Sequence, residues 1–121
     1  MRKCILIVDD NPKIRQIVRS VLEAQPECTV CGEASNGQDA IEKAAQLHPD
    51  LVVLDLVMPL LNGLEVARVL SKTMPNVPLV MLTNHANKLI EPEARAAGIR
   101  AVLSKEDGMQ ELAELCLELV H

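Results

Sequence analysis

Asp9, Asp10, Asp55, Thr83 and Lys105 are the residues of this 121-residue chain whose types could do chemistry together. Each follows a short apolar run: Lys3 to Val8, Leu51 to Leu54, Leu79 to Leu82, and Ala101 to Leu103. Taken singly, each has an ordinary explanation. Asp9-Asp10 before Asn11-Pro12 favours a helix N-terminus, Thr83 starts a turn, Lys105 is a solvated charge, and Asp55 caps the turn after its strand. Taken together they are five polar groups at four strand ends, which points to one site. Three carboxylates a few Å apart repel one another and must share protons or hold a cation. Oxygen ligands alone select a hard cation, Mg²⁺ or Mn²⁺, which keeps several waters and works beside phosphate. With an ammonium and a hydroxyl added, the set suits phosphoryl transfer. The metal and Lys105 neutralise oxygens of the incoming group while Asp55 attacks it.

For these groups to meet, the apolar runs must be neighbours in one sheet. Leu51-Val52-Val53-Leu54 is continuous and β-branched in its middle, as in a strand buried on both faces of a parallel sheet. Pro59 cannot join a sheet ladder, so the strand has ended by then. Thr29 to Ala34 supplies a fifth strand. Between the strands run helical patterns. Asn11 caps the first helix and Pro12 opens it; Ile14, Ile17, Val18, Val21 and Leu22 line it, and Gln25-Pro26 ends it. Ile41, Ala44 and Ala45 line the second, which stops before Pro49. The third runs from about Gly63 to Lys72, after the turn signal Asn62-Gly63. A fourth lies within Asn87 to Ala97, with Pro92 either in its first turn or at a kink, and Gly98 stops it. Met109, Leu112, Ala113, Cys116, Leu119 and Val120 mark the last. Five strand–helix pairs predict an α/β fold, doubly wound, with a parallel sheet and helices on both faces, and 2-1-3-4-5 is one strand order such sheets take. In that order the crevice opens between the first and third strands, and it gathers Asp9, Asp10 and Asp55.

The rest of the composition narrows the function. Residues 1–121 read as a single domain, with no linker or repeat. Phe, Tyr and Trp are absent, so the core is Leu, Ile, Val, Ala and Met, and no ring is available to stack a base or a flavin. A net charge of −5 without a basic cluster argues against direct nucleic-acid binding. The apolar run from Cys4 to Val8 is shorter than the ~7–15 residues of a secretory signal, and nothing approaches a membrane span of ~20 residues. The expected location is the cytoplasm, away from membranes. Of the four cysteines, Cys28 and Cys31 form a C-x-x-C with no companion pair. It falls in a strand, where residues three apart face opposite sides, so all four are expected to be reduced structural thiols.

The motifs Ile7-Val8-Asp9-Asp10, Leu54-Asp55-Leu56-Val57-Met58-Pro59 with Gly63, Thr83 and Lys105 resemble the receiver domain of bacterial two-component response regulators. The resemblance covers essentially the whole chain. Gly32-Glu33-Ala34-Ser35-Asn36-Gly37 further resembles receivers joined to a LuxR-type helix-turn-helix output domain. The resemblance implies a flavodoxin-like fold, with Asp55 as phosphoacceptor. It implies Mg²⁺ held by Asp10, by Asp9 (through water), by Asp55 and by the backbone carbonyl of Val57. Thr83 and Lys105 would bind phosphoryl oxygens. The donor would be a sensor histidine kinase or a phosphotransfer protein docking near Ile14, Arg15 and Val18. Homodimers would form through the face made by the fourth helix, fifth strand and fifth helix. The chain would be either a stand-alone receiver or the front of a longer regulator.

This sequence departs from the family pattern at four places. Val102 stands where a switch Tyr or Phe is usual, Asn84 replaces a small residue after the threonine, Glu106 replaces a proline after Lys105, and Pro92 interrupts the fourth helix. Val102 is short and stiff at its single χ angle, so the switch is expected in residues Asn84 to Ile90 instead. Other functions fit less well. An aspartyl-nucleophile phosphatase needs a second acid two residues after Asp55 as its proton carrier, and Val57 occupies that place. A receiver-like interaction module that is never phosphorylated has no need of the acidic set. A flavodoxin-like cofactor binder wants rings and a hydroxyl-rich phosphate loop.

Overall fold

Strand and helix alternate along the described residues, 2–84 and 89–120 of a computed structural model. The order is β1 (Lys3–Val8), α1 (Pro12–Glu23), β2 (Cys28–Ala34), α2 (Gly37–Leu47), β3 (Leu51–Leu54), α3 (Gly63–Thr73), β4 (Leu79–Thr83), α4 (Ile90–Ala96), β5 (Ala101–Ser104) and α5 (Met109–Val120). All paired strands are parallel, in the sheet order β2-β1-β3-β4-β5. This is the doubly wound parallel sheet that the sequence pattern predicts, in the flavodoxin-like order that the resemblance implies.

The pleat sorts each continuous apolar run onto two faces. Ile5, Ile7, Val53, Val80 and Leu82 pack with Val18 and Leu22 of α1 and Leu112 and Cys116 of α5. Leu6, Val8, Val52, Leu54 and Met81 pack with Ala40 and Ala44 of α2, Leu70 of α3 and Ala94 of α4. Each fully buried Leu or Ile contributes about 1.5–3 kcal/mol. Truncating one leaves a cavity in a ring-free interior that has no larger side chain to swing in.

The three helices that follow β1, β2 and β3 start on asparagine caps. Asn11 Oδ1 accepts from the amides of Lys13 (2.9 Å) and Ile14 (3.4 Å), and Asn36 Oδ1 from Asp39 (2.8 Å). Asn62 and Glu65 form a reciprocal capping box, each side chain bonding the other's amide at 2.9 and 3.0 Å. These caps fix the βα loops at the carboxyl edge of the sheet, where the acidic residues lie.

One open expectation resolves to one of its two alternatives, and one expectation is overturned. Helix α4 starts late, at Ile90, so Pro92 lies in its first turn, where its missing amide costs no hydrogen bond. Gly98 ends that segment at φ +99°, as expected. The cysteines require a correction: Cys31 is bonded to Cys4, with the Cα atoms 5.3 Å apart, and only Cys28 and Cys116 are free thiols. Cys28 lies in the cluster with α1 and α5, so the C-x-x-C pair itself is split across the sheet, as its strand placement required. The partner of Cys31 comes from the neighbouring strand instead.

Candidate functional site

The site forms where β1 and β3 end side by side. The Asp55 amide donates to the carbonyl of Val8 (3.0 Å), and the Asp9 amide to Ala34 (3.0 Å), so both acids leave the sheet while its ladder still holds them. One potential ligand oxygen from each of Asp9, Asp10 and Asp55 lies within 4.8 Å of the others. Asp9 and Asp55 are buried and Asp10 is exposed.

Lys105 enters from the far end of the sheet. Its amide is tied to the Thr83 carbonyl (3.1 Å), and the turn after it is closed by Gly108 N–H to Ser104 O (2.7 Å). Its Nζ sits 2.7 Å from Asp9 Oδ2 and 3.0 Å from Asp55 Oδ2. The other oxygens bond backbone: Asp9 Oδ1 accepts from Asn11 N (2.9 Å) and Asp55 Oδ1 from Leu56 N (2.7 Å). Burial pushes the Asp9 carboxyl above its usual range, and the bonds from Lys105 and Asn11 recover only part of that. Burial pulls the Lys105 ammonium down, but its bonds to Asp9 and Asp55 outweigh this and hold its pKa above the ordinary value. With all four groups ionised, three carboxylates against one ammonium leave a formal charge of −2, which one divalent cation matches. The donors are all oxygen, as a hard cation requires.

Thr83 ends β4 in the same row, fully buried, paired in register with Ser104. Val57 lies two residues beyond Asp55 in the loop leaving β3, and its side chain is exposed. Val102 is half-buried against the α4-side cluster. Of the segment expected to switch, Asn84 is an exposed turn residue, and 85–88 lie outside the described residues. The residues expected near the docked kinase differ in exposure. Val18 faces the sheet and is buried, Ile14 is partly buried against the same cluster, and Arg15 is engaged with Glu33. The exposed apolar residue of α1 is Ile17.

Three participants were not legible as such in the sequence. Arg15 donates through Nη1 to the Asp9 carbonyl (2.6 Å) and through Nε to Glu33 (3.0 Å), so β2 and α1 jointly brace the acidic loop. Hydrogen bonds from Arg19 and then Arg15 hold the Glu33 carboxyl below the usual range. Leu60 has φ +72°, with Leu61 N–H bonding Pro59 O at 2.9 Å across it, a γ-turn of the rarer hand.

A family model described as the response regulator receiver domain matches residues 5–116. The response regulator protein VraR of Staphylococcus saprophyticus is 36% identical over 110 residues, 91% of this chain and 53% of that protein. A protein-glutamate methylesterase/protein-glutamine glutaminase of Methanococcoides burtonii is 35% identical over 117 residues, 95% of this chain and 33% of that protein. The crystal structure of a two-component response regulator of the LuxR family from Aurantimonas sp. SI85-9A1 superposes with a TM-score of 0.93 at 26% identity, covering 99% of this chain and 86% of that one. The chain belongs to the response regulator receiver domain family. It spans about half of the VraR protein and a third of the methylesterase.

Proposed function

We propose that Asp55 accepts a phosphoryl group from a phosphohistidine on a sensor histidine kinase or phosphotransfer protein, and that the modified domain presents an altered surface to its output. The observation that carries this is the cluster itself: three carboxylates within 4.8 Å, with an ammonium on two of them, where β1 and β3 part. An Asp55 oxygen attacks phosphorus, the bond from phosphorus to the donor nitrogen breaks with its electron pair going to that nitrogen, and the donor histidine, protonated on its other ring nitrogen, leaves as neutral imidazole. Lys105 moves from carboxylate to phosphoryl oxygen, and the Thr83 hydroxyl binds another. Asp9, Asp10, Asp55 and the Val57 carbonyl hold Mg²⁺ or Mn²⁺, which when bound neutralises negative charge on the transferred group. The chain acts on itself and not on an external substrate: exposed, apolar Val57 stands where a hydrolase would need its proton carrier. The docking face includes Ile17. The setting is the cytoplasm, where such donors are made. Residues 1–121 act as a single receiver domain, either stand-alone or the front of a longer regulator with an output domain of LuxR type. Dimers form through α4, β5 and α5, and DNA contact is left to any output domain.

The test is labelling by an acyl phosphate such as acetyl phosphate, read by intact mass. One phosphoryl group should appear with Mg²⁺ and none in Asp55→Asn. Equal labelling without metal, or in that variant, would overturn the assignment.

A further inference from the structure

We propose that Cys4 and Cys31 form a reversible thiol–disulfide site, closed and reopened by exchange with glutathione, which fastens the edge strand β2 to β1. Two observations meet here. The first is the bond between the two sulfurs. The second is in the backbone. The β1–β2 ladder pairs Cys4 with Thr29 and Ile5 with Val30, then skips, pairing Leu6 with Gly32. Cys31 is the extra residue of that bulge. In an unbroken ladder Cys4 and Cys31 would stand on a diagonal, roughly 7–8 Å apart. That is at or beyond the ~7 Å limit for a bridge. The bulge brings the Cα atoms to 5.3 Å.

The other two thiols set a contrast. Cys28 and Cys116 are buried in the α1–α5 cluster, and burial pushes both thiols up, Cys116 to about 12. Burial thus disfavours in both the thiolate that exchange requires. Cys4 and Cys31 are only half-buried, Cys31 on the edge strand β2 and Cys4 on its neighbour β1. The inference rests on the proposed function in one respect: a receiver fed by cytoplasmic kinases works among reduced thiols, where a disulfide is a transient, redox-responsive feature.

The chemistry balances with glutathione disulfide as oxidant. One cysteine loses its proton and its thiolate attacks a glutathione sulfur, breaking the S–S bond and releasing glutathione thiolate. The second cysteine, deprotonated in turn, attacks the protein sulfur of that mixed disulfide and releases the second glutathione thiolate. The two released protons and two thiolates give two molecules of glutathione. The closed bridge holds the register two residues before Glu33, whose carboxylate anchors Arg15 and Arg19, while Arg15 bonds the Asp9 carbonyl. Opening it loosens the strand that braces the acidic loop.

The experiment incubates the folded chain in glutathione buffers from fully reduced to fully oxidised, alkylates free thiols and maps peptides. A Cys4–Cys31 cross-link should rise with glutathione disulfide and vanish with excess glutathione while far-ultraviolet circular dichroism is unchanged. Four free thiols at every ratio, a bridge between other cysteines, or a cross-link that survives excess glutathione would each overturn the proposal. Amide exchange at Gly32 to Ala34 should be faster in the reduced protein and in a Cys4→Ser, Cys31→Ser variant, with Cys31→Ser alone as substitute if the pair misfolds. Exchange as slow as in the oxidised protein would overturn the fastening role. Acetyl phosphate labelling is read in parallel. Loss of labelling in both redox states with the cross-link intact defeats the phosphoacceptor reading and leaves this site standing. Absent cross-link with intact labelling defeats this site alone.

Discussion

Gly63 lies so close to Asp55 that a Cβ on it would fall 2.2 Å from the Asp55 carbonyl oxygen. The first residue of α3 thus presses on the backbone of the candidate acceptor, and its amide bonds the Leu56 carbonyl at 2.8 Å. Gly63→Ala must push that loop aside. Overpacking of this kind costs about 1–3 kcal/mol, which in a domain of this size lowers Tm by roughly 4–12 °C. Thermal melting checks this, and an unchanged Tm would show that the loop yields freely.

Lys105→Met removes the ammonium that two buried carboxylates share. The side chains of Lys105, Asp9 and Asp55 are 8%, 4% and 8% exposed, so solvent replaces little of what is lost. Breaking a pair this buried costs about 3–5 kcal/mol. The variant should melt well below the parent in metal-free buffer at neutral pH and recover much of the difference with Mg²⁺. The Lys105 pKa is raised on folding, so its contribution is complete below about 10.5, the ordinary lysine value. It is lost as pH rises through the folded value, and the gap between variant and parent should close there.

Asp9 titrates with the same sign in the acid range, but there it is the charged form that folding disfavours. Its pKa is raised on folding, mainly by burial, so the folded state binds the proton more tightly than the unfolded state does. Stability therefore falls as pH climbs through the window above the ordinary value of 3.8. Asp9→Asn should raise Tm in metal-free buffer at pH 7, and the gain should vanish below that window. With Mg²⁺ the parent should gain more than the variant. A variant that melts lower than the parent in metal-free buffer at pH 7 would mean that the bond to Lys105 outweighs burial.

What the sequence made legible was local or periodic. The β3 run, the Asn11 cap, the turn signal at Asn62-Gly63 and the acids at strand ends all carry their meaning within a few residues. Their convergence followed from the sheet order. The Cys4–Cys31 bridge did not, because strand alternation shows which face a residue takes and not where a neighbouring ladder skips. The brace from Glu33 through Arg15 to the Asp9 carbonyl joins three elements, and no spacing announces it. The docking residues Ile14, Arg15 and Val18 came from the family resemblance, whereas helical periodicity already set Ile14 and Val18 on the apolar stripe that the sheet covers.

Leu60 at φ +72° is the other silent feature, since leucine is not a residue that favours the left-handed region. Its side chain is exposed, so a change there loses little packing. Leu60→Gly relieves a backbone penalty of about 1–2 kcal/mol against a glycine entropy cost of about 0.5–1 kcal/mol. Tm should rise by a few degrees in the melting experiment. A fall would show that the Leu60 side chain is held by a contact worth more than the strain.

A core built without rings has an optical consequence. With no Trp, Tyr or Phe in the chain, the protein has no intrinsic fluorescence and almost no colour in the near ultraviolet. The cystine of Cys4 and Cys31 is left as its one chromophore there. Closing and opening of that bond can be followed directly, label-free, as a near-ultraviolet dichroism band rising from a dark background. A single tryptophan placed anywhere on the surface would report on its own surroundings with nothing to subtract.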